Sequence, residues 1–186
     1  CDIVPEKAQR GATAAREAGG AEPAHYTAGE EDWRNLLKRE DVDAVIVATP
    51  WLWHTPMAVA SMEAGKAVGV EVPAATTVED CWELVHTYER TGVPCMMLEN
   101  VCFRRDVMAV LRMVREGLFG ELVHCHCGYQ HDLREVKLNP GAEFGPGANG
   151  EAVWRTHHSI TRNGELYPTH GIGPVANWLE INRGNR

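Results

Sequence analysis

The sequence predicts an α/β protein in which a doubly wound parallel sheet, without its first βα unit, is followed by an incomplete α+β domain. Two observations predict the sheet. Residues Asp43 to Pro73 read as a strand, an exposed crossing, a helix and a second strand, and Ala44-Val45-Ile46-Val47-Ala48 is an unbroken apolar run with β-branched residues, the mark of a parallel strand covered on both faces. Strand-like and helix-like segments alternate before and after this stretch, as βαβ crossovers require. The second domain is predicted by a change after Asn100, where the alternation gives way to one amphipathic helix, an alternating segment and a loop rich in Gly, Pro and Asn.

The elements follow in order. Asp2-Ile3-Val4 reads as the end of a strand, and Pro5 opens a helix to about Ala18 that Gly19-Gly20 closes. Thr27 with Glu30 matches a capping box ahead of a short helix through Leu37. After the Ala44 run, Thr49-Pro50 stops the strand, and Trp51-Leu52-Trp53-His54 lies past its carboxyl end, the edge where ligands bind in such sheets. A helix from Thr55 to Ala64 is closed by Gly65, and Ala67-Val68-Gly69-Val70 enters a strand ending at Glu71-Val72-Pro73. A carboxylate at this second strand end, beside the first, suggests a cofactor cleft. Thr76 with Glu79 repeats the capping pattern for a helix to about Arg90, which Gly92 ends, and Cys95-Met96-Met97-Leu98 is a further buried strand running into Glu99-Asn100.

This is the later part of a Rossmann-type domain, placed at residues 1–100, whose phosphate-binding Gly-rich turn is expected upstream of Cys1. Asp2 then stands where the acidic residue that bonds the ribose hydroxyls is expected, although an Asp at this kind of position also serves as a turn or cap residue. Residues 101–186 form the partial α+β domain. Val107, Val110, Leu111 and Val114 follow helical spacing between Arg104 and Glu116, Glu121 to Gln130 alternates as a strand, and Asn139 to Gly150 reads as a loop. The start at Cys1 and the stop at Arg186 read as those of a fragment.

Composition narrows the function. With 44% hydrophobic and 24% charged residues the chain is ordinary for a globular protein, and its net charge of -8 with scattered basic residues disfavours a nucleic-acid partner. No apolar run approaches the roughly 18 residues that span a bilayer. Six cysteines at irregular spacing, with Cys81, Cys95 and Cys102 in or beside apolar segments, read as reduced and mostly buried thiols. His124-Cys125-His126-Cys127 with His131 invites a zinc site, but on a strand the His and Cys pairs face opposite ways, so no metal is expected.

A second cluster is better suited to chemistry. Tyr167 and His170 stand three residues apart at a Pro-restrained entry to a helix, so two proton-transfer groups share a held backbone; a plain helix entry capped by Thr169 is the alternative. Arg155 can pair with a carboxylate or donate to several substrate oxygens. The Tyr129 phenol is either a core hydrogen bonder or a ligand contact.

Thr49-Pro50-Trp51-Leu52-Trp53-His54, Gly69-Val70-Glu71-Val72, Leu98-Glu99-Asn100-Val101-Cys102, Gly128-Tyr129-Gln130-His131-Asp132-Leu133-Arg134 and Tyr167-Pro168-Thr169-His170-Gly171-Ile172-Gly173-Pro174 together resemble the NAD-dependent α-N-acetylgalactosaminidases of glycoside hydrolase family 109. These sit within the glucose-fructose oxidoreductase and inositol dehydrogenase group, and the likeness extends to Ile181-Asn182-Arg183-Gly184-Asn185-Arg186. That wider group usually has Glu-Lys-Pro where this chain has Glu71-Val72-Pro73, and its Asp-x-Gly-x-His pattern is replaced by Leu166 to His170. Both departures match the glycosidase branch.

The resemblance implies a redox-neutral cleavage with NAD as cofactor. Hydride leaves C3 of the sugar, the ketone acidifies the C2 hydrogen, a base removes it, the C1 bond breaks by elimination, water adds and the hydride returns. Paired carboxylates are not needed for this route. It implies further that Asp2 binds the adenosine ribose, that Trp51, Leu52, Trp53 and His54 wrap the cofactor, and that Glu71, Val72 and Asn100 line its nicotinamide side. Tyr129, Arg155, Tyr167, Pro168, Thr169 and His170 would contact the sugar, with His170 and Tyr167 moving protons in roles left open. The partners expected are a small-molecule or glycan substrate, with homo-oligomerisation and the choice between bacterial cytoplasm and export left open. The 139–150 loop would shape the leaving-group side. An NAD(P)-dependent sugar dehydrogenase and a non-catalytic cofactor-binding sensor are the competing readings.

Overall fold

The computed structural model describes residues 1–134 and 151–184, the side chains of 151–153 excepted. Three parallel strands, β1 (Ala44–Val47), β2 (Ala67–Val70) and β3 (Cys95–Met97), lie side by side in that order. Val45 pairs with Val68 and that with Cys95, while Val47 pairs with Val70 and that with Met97. The helices are α1 (Pro5–Glu17), α2 (Trp33–Leu37), α3 (His54–Glu63), α4 (Val78–Thr91), α5 (Arg105–Arg115), α6 (Glu151–Thr161) and α7 (Pro168–Trp178).

Alternation along the strands sends Val47, Val68 and Val70 to one face, where they pack with Ala58 and Met62 of α3 and with Leu84 of α4. The opposite face is more open. Ile46 is 67% and Met96 51% exposed, so the expected cover on both faces holds for only one. Gly69 lies between them in register, and a Cβ there would meet Ile46 Cδ1 at 2.9 Å and the Leu98 methyls at 3.3 Å, so the neighbours lean over the missing side chain.

Most boundaries agree with the sequence reading, and the exceptions have causes. Asp2-Ile3-Val4 is not a strand: Asp2 Oδ1 accepts from the Val4 N–H at 2.8 Å in a turn that leads into α1. The Thr27–Glu30 box does not form: α2 starts only at Trp33, and the turn before it has the Ala28 N–H on Asp32 Oδ2 at 2.9 Å. The box at α4 is one residue later than expected. Asp80 N–H donates to Thr77 Oγ1 at 3.0 Å and Asp80 Oδ2 accepts from the Thr77 N–H at 3.2 Å, while Thr76 joins the same carboxylate through its hydroxyl at 3.3 Å. Gly92, at φ 69°, then ends α4 in the left-handed region where a Cβ is strained.

The second half departs further. Glu121 to Gln130 runs without a ladder partner among the described residues, so it is not a strand, and Val123 stays 90% exposed. The described part of this half is therefore helical, with α5 and α7 packed on each other and on the turn of Asn100–Phe103. The Asn139 to Gly150 loop lies outside the described residues apart from its neighbours. All six cysteines are free thiols, and the expectation of mostly buried ones fails: Cys1, Cys81 and Cys127 are exposed and Cys95, Cys102 and Cys125 only partly buried. No helix among the described residues is long and apolar enough to cross a membrane.

Candidate active site

The carboxyl ends of the three strands form one edge. Past β1, Pro50 O accepts from the Trp53 N–H at 2.9 Å and closes a short turn on which Leu52 is 62% exposed, Trp53 half-buried and Trp51 buried. Past β2, Glu71 is exposed and Val72 buried. Past β3, Asn100 is exposed and opens the turn that carries Glu99 inward. Leu52, Trp53, Glu71 and Asn100 thus present an apolar and polar surface along three neighbouring strand ends, a donor set that suits a flat, hydrogen-bonding cofactor. His54 has a different place. It is 1% exposed, with Nδ1 2.7 Å from Pro73 O and Nε2 2.7 Å from Thr49 O, so it joins the β1 and β2 turns from beneath. Asp2 stands at the entry to α1, with its N–H donating to Tyr26 O at 3.2 Å.

The second half brings a cluster to this edge. Tyr167 precedes α7, whose first residue is Pro168, a position where the missing N–H costs nothing and φ is already helical. Thr169 does not cap the helix; its hydroxyl is buried without a partner among the described residues. The first turn of α7 then aims His170 at Glu99, with Nδ1 and Oε1 2.7 Å apart and both side chains at most a tenth exposed. The Val101 N–H donates to the same oxygen at 3.0 Å. A carboxylate only accepts, so His170 donates from Nδ1 to Glu99, and in the neutral ring the lone pair is then on Nε2. Gly173 makes the approach feasible: a Cβ there would lie 2.9 Å from Cys102 Sγ and 3.3 Å from Glu99 Cγ.

Rings close around His170. Tyr167 stacks on it at 5.4 Å and 13°, and Tyr129 meets it edge-on at 4.6 Å. The Tyr129 hydroxyl is 3.1 Å from His131 Nδ1. Arg155 donates from Nη1 to the Tyr167 hydroxyl oxygen, which leaves the phenolic hydrogen to point elsewhere. Its guanidinium also lies 4.5 Å from the Trp154 ring. Trp51 is the keystone beneath, with Trp154 at 5.0 Å, His158 at 4.9 Å and Tyr167 at 5.3 Å. A cleft of about 440 Å³ opens above, lined by Trp51, Tyr129, His131, Arg155, Glu165 and Tyr167 among others.

The structure thus brings together Tyr129, Arg155, Tyr167 and His170, and it places Leu52, Trp53, Glu71 and Asn100 along one edge. Asp2 sits in the turn ahead of α1, and Trp51 and His54 are buried. Sequence reasoning missed Glu99, although a carboxylate ending an apolar strand was a signal, and it treated His131 only as a metal candidate. Among the described residues no three His, Cys, Asp or Glu side chains gather as a metal site.

Residues 3–99 match the family described as an oxidoreductase family with an NAD-binding Rossmann fold, and residues 103–186 match the C-terminal domain of glycosyl hydrolase family 109. The chain is 61% identical over 176 residues to an α-N-acetylgalactosaminidase of Tannerella forsythia, which covers 89% of this chain and 38% of that protein. It is 53% identical to a family 109 protein of Stenotrophomonas maltophilia, covering all of this chain and 43% of the relative. The chain therefore spans about two fifths of the length of these relatives. Among solved structures it resembles an NAD-binding protein from Listeria innocua, at 30% identity and a TM-score of 0.51 over 65% of this chain and 32% of the other. It also resembles the WlbA dehydrogenase of Bordetella pertussis, solved with NADH and UDP-GlcNAcA, at 26% identity and a TM-score of 0.53 over 65% and 32%.

Proposed function

The chain belongs to glycosyl hydrolase family 109, with its N-terminal part in the NAD-binding Rossmann-fold oxidoreductase family; from that premise we propose that the protein is an NAD-dependent glycosidase that releases terminal α-N-acetylgalactosamine. The observation that carries the reading is the Glu99–His170 pair, set among Tyr129, Tyr167 and Arg155 beside the strand-end edge. The buried Val72 supports it, since an apolar side chain there offers no amine to relay a proton as in a simple alcohol dehydrogenase.

Leu52, Trp53, Glu71 and Asn100 would hold the cofactor at the strand ends, with Trp51, His54 and Val72 shaping its bed from below and Asp2 reaching the adenosine ribose. When bound, NAD supplies reversible withdrawal of hydride from C3 of the sugar, which makes the C2 hydrogen acidic. His170, with Nδ1–H held by Glu99, accepts a sugar proton at Nε2. Tyr167, whose oxygen already accepts from Arg155, directs its hydroxyl hydrogen into the cleft and donates. Arg155 and Tyr129 orient the sugar hydroxyls, together with the backbone of Pro168 and Thr169. Loss of the C2 proton expels the C1 aglycone without a paired nucleophile.

The test is release of nitrophenol from 4-nitrophenyl α-N-acetylgalactosaminide by the full-length protein in deuterated water, with NADH absorbance followed in parallel. Aglycone release with deuterium at C2 and no net NADH is expected. NADH accumulation without aglycone release would instead assign the protein to the sugar dehydrogenases, which the likeness to WlbA keeps as the second reading.

A further inference from the structure

Arg162 follows α6 and turns back on it. Its Nε–H donates to His158 Nδ1 at 2.9 Å, and its Nη1 donates to the Thr76 carbonyl at 3.0 Å, across 86 residues of sequence. Thr76 is part of the cap of α4, with its N–H and hydroxyl both on Asp80 Oδ2. His158 is 4% exposed and packs on Trp51 and on Trp154, while Arg155 lies on the same helix one turn earlier and reaches Tyr167. One guanidinium therefore ties the helix that carries Arg155 to the turn that follows β2.

The bond to Nδ1 sets a condition. That nitrogen accepts only while it carries no proton, so His158 must be neutral, with its hydrogen on Nε2. Burial, and then the nearby charges of Arg162 and His157, push His158 below the usual imidazole range, in the direction the bond requires. Among the described residues the charged groups near it are His157 on its own helix, Arg162 just past the end of α6 and Arg155 beyond the Trp51 ring; the Asp80 carboxylate behind Thr76 is engaged by the cap.

We propose that His158 and Arg162 are positioning residues for the sugar site: a neutral His158 aims Arg162 at Thr76, and this clasp sets where α6 presents Arg155 to Tyr167. The kinetic consequence rests on the glycosidase reading, but the clasp itself does not. Protonation of His158 removes the acceptor, brings two cations together and releases the guanidinium from Thr76. The α6 helix then loses its tie to the first half, and sugar binding weakens more than turnover.

The experiment uses the full-length protein with H158Q, which keeps an acceptor but no titrating group, and R162M. In the wild type KM for the nitrophenyl substrate is expected to rise about tenfold as pH falls below the usual imidazole range, where His158 takes up its proton. H158Q should lack most of that rise, and R162M should have a raised KM at every pH with NAD affinity unchanged. An H158Q profile that keeps the wild-type acid limb, or an R162M KM equal to wild type, overturns the proposal. Hydrogen exchange on the ligand-free protein separates the two readings. Corrected for intrinsic rates, the hydrogen-bonded amides of Trp53, Thr77, Asp80 and Cys81 should lose protection in R162M, and at acid pH in the wild type but not in H158Q. If the wild type releases no aglycone, the glycosidase reading fails, and unchanged protection in R162M then overturns the clasp by itself.

Discussion

Glu99 and His170, 71 residues apart, meet through one bond of 2.7 Å in a nearly closed setting. The second carboxylate oxygen of Glu99 is buried with no partner among the described residues, an unmet acceptor that costs free energy where it stands. The pair is the point at which the strand edge and the helical half act on one side chain.

Glu99→Gln keeps the shape and removes the charge that holds the Nδ1 proton. In the full-length protein kcat for aglycone release is expected to fall about a hundredfold, the ordinary scale of acid–base assistance, with the melting temperature little changed. A kcat within twofold of wild type would remove His170 orientation from the account.

Gly173→Ala tests the close approach. The new Cβ would press on Cys102 Sγ and Glu99 Cγ, neither of which is the loose end of a long side chain. A loss of about 1–3 kcal/mol is expected from denaturant midpoints, as for other overpacked sites, together with a fall in activity parallel to that of Glu99→Gln.

Lys66 is 6% exposed and donates to the Arg39 carbonyl at 2.5 Å and the Val42 carbonyl at 2.8 Å, fixing the chain just ahead of β1. Lys66→Met leaves both carbonyls without this donor. Urea unfolding should show a loss of about 2 kcal/mol, with KM for sugar unaltered because the site lies at the other strand ends.

Burial raises the thiols of Cys95 and Cys102, the latter also through the nearby Glu99 charge. Their thiolate fraction at neutral pH is lowered accordingly, while Cys1, Cys81 and Cys127 are exposed to reagent. Iodoacetamide followed by peptide mass mapping should label the exposed three first. A thiol raised in the folded state also adds stability that is complete below its unfolded value and lost as pH climbs through the folded one, so these two thiols are expected to contribute a drop in melting temperature on the alkaline side.

The sheet was legible because its signals are local. An apolar run such as Ala44 to Val47, stopped by Thr49-Pro50, and a helix closed by Gly65 or Gly92 are settled by backbone preference and by neighbours within a few residues. The ambiguity at α4 arose because Thr76-x-x-Glu79 and Thr77-x-x-Asp80 overlap, and the extended backbone of Thr77 chose between them. The alternation from Glu121 to Gln130 misled, since alternation permits a strand but only a paired neighbour makes one.

By itself the sequence determined the order of the α/β elements, the edge that carries Leu52, Glu71 and Asn100, and the presence of Tyr129, Arg155, Tyr167 and His170 as reactive types, because strand, cap and turn preferences act over short spans. Only the tertiary structure decided that Glu99 faces His170, that Trp51 and His54 are buried supports, and that Arg162 reaches Thr76. Those relations join residues far apart in the chain, and they depend on packing that closes only when the two halves meet.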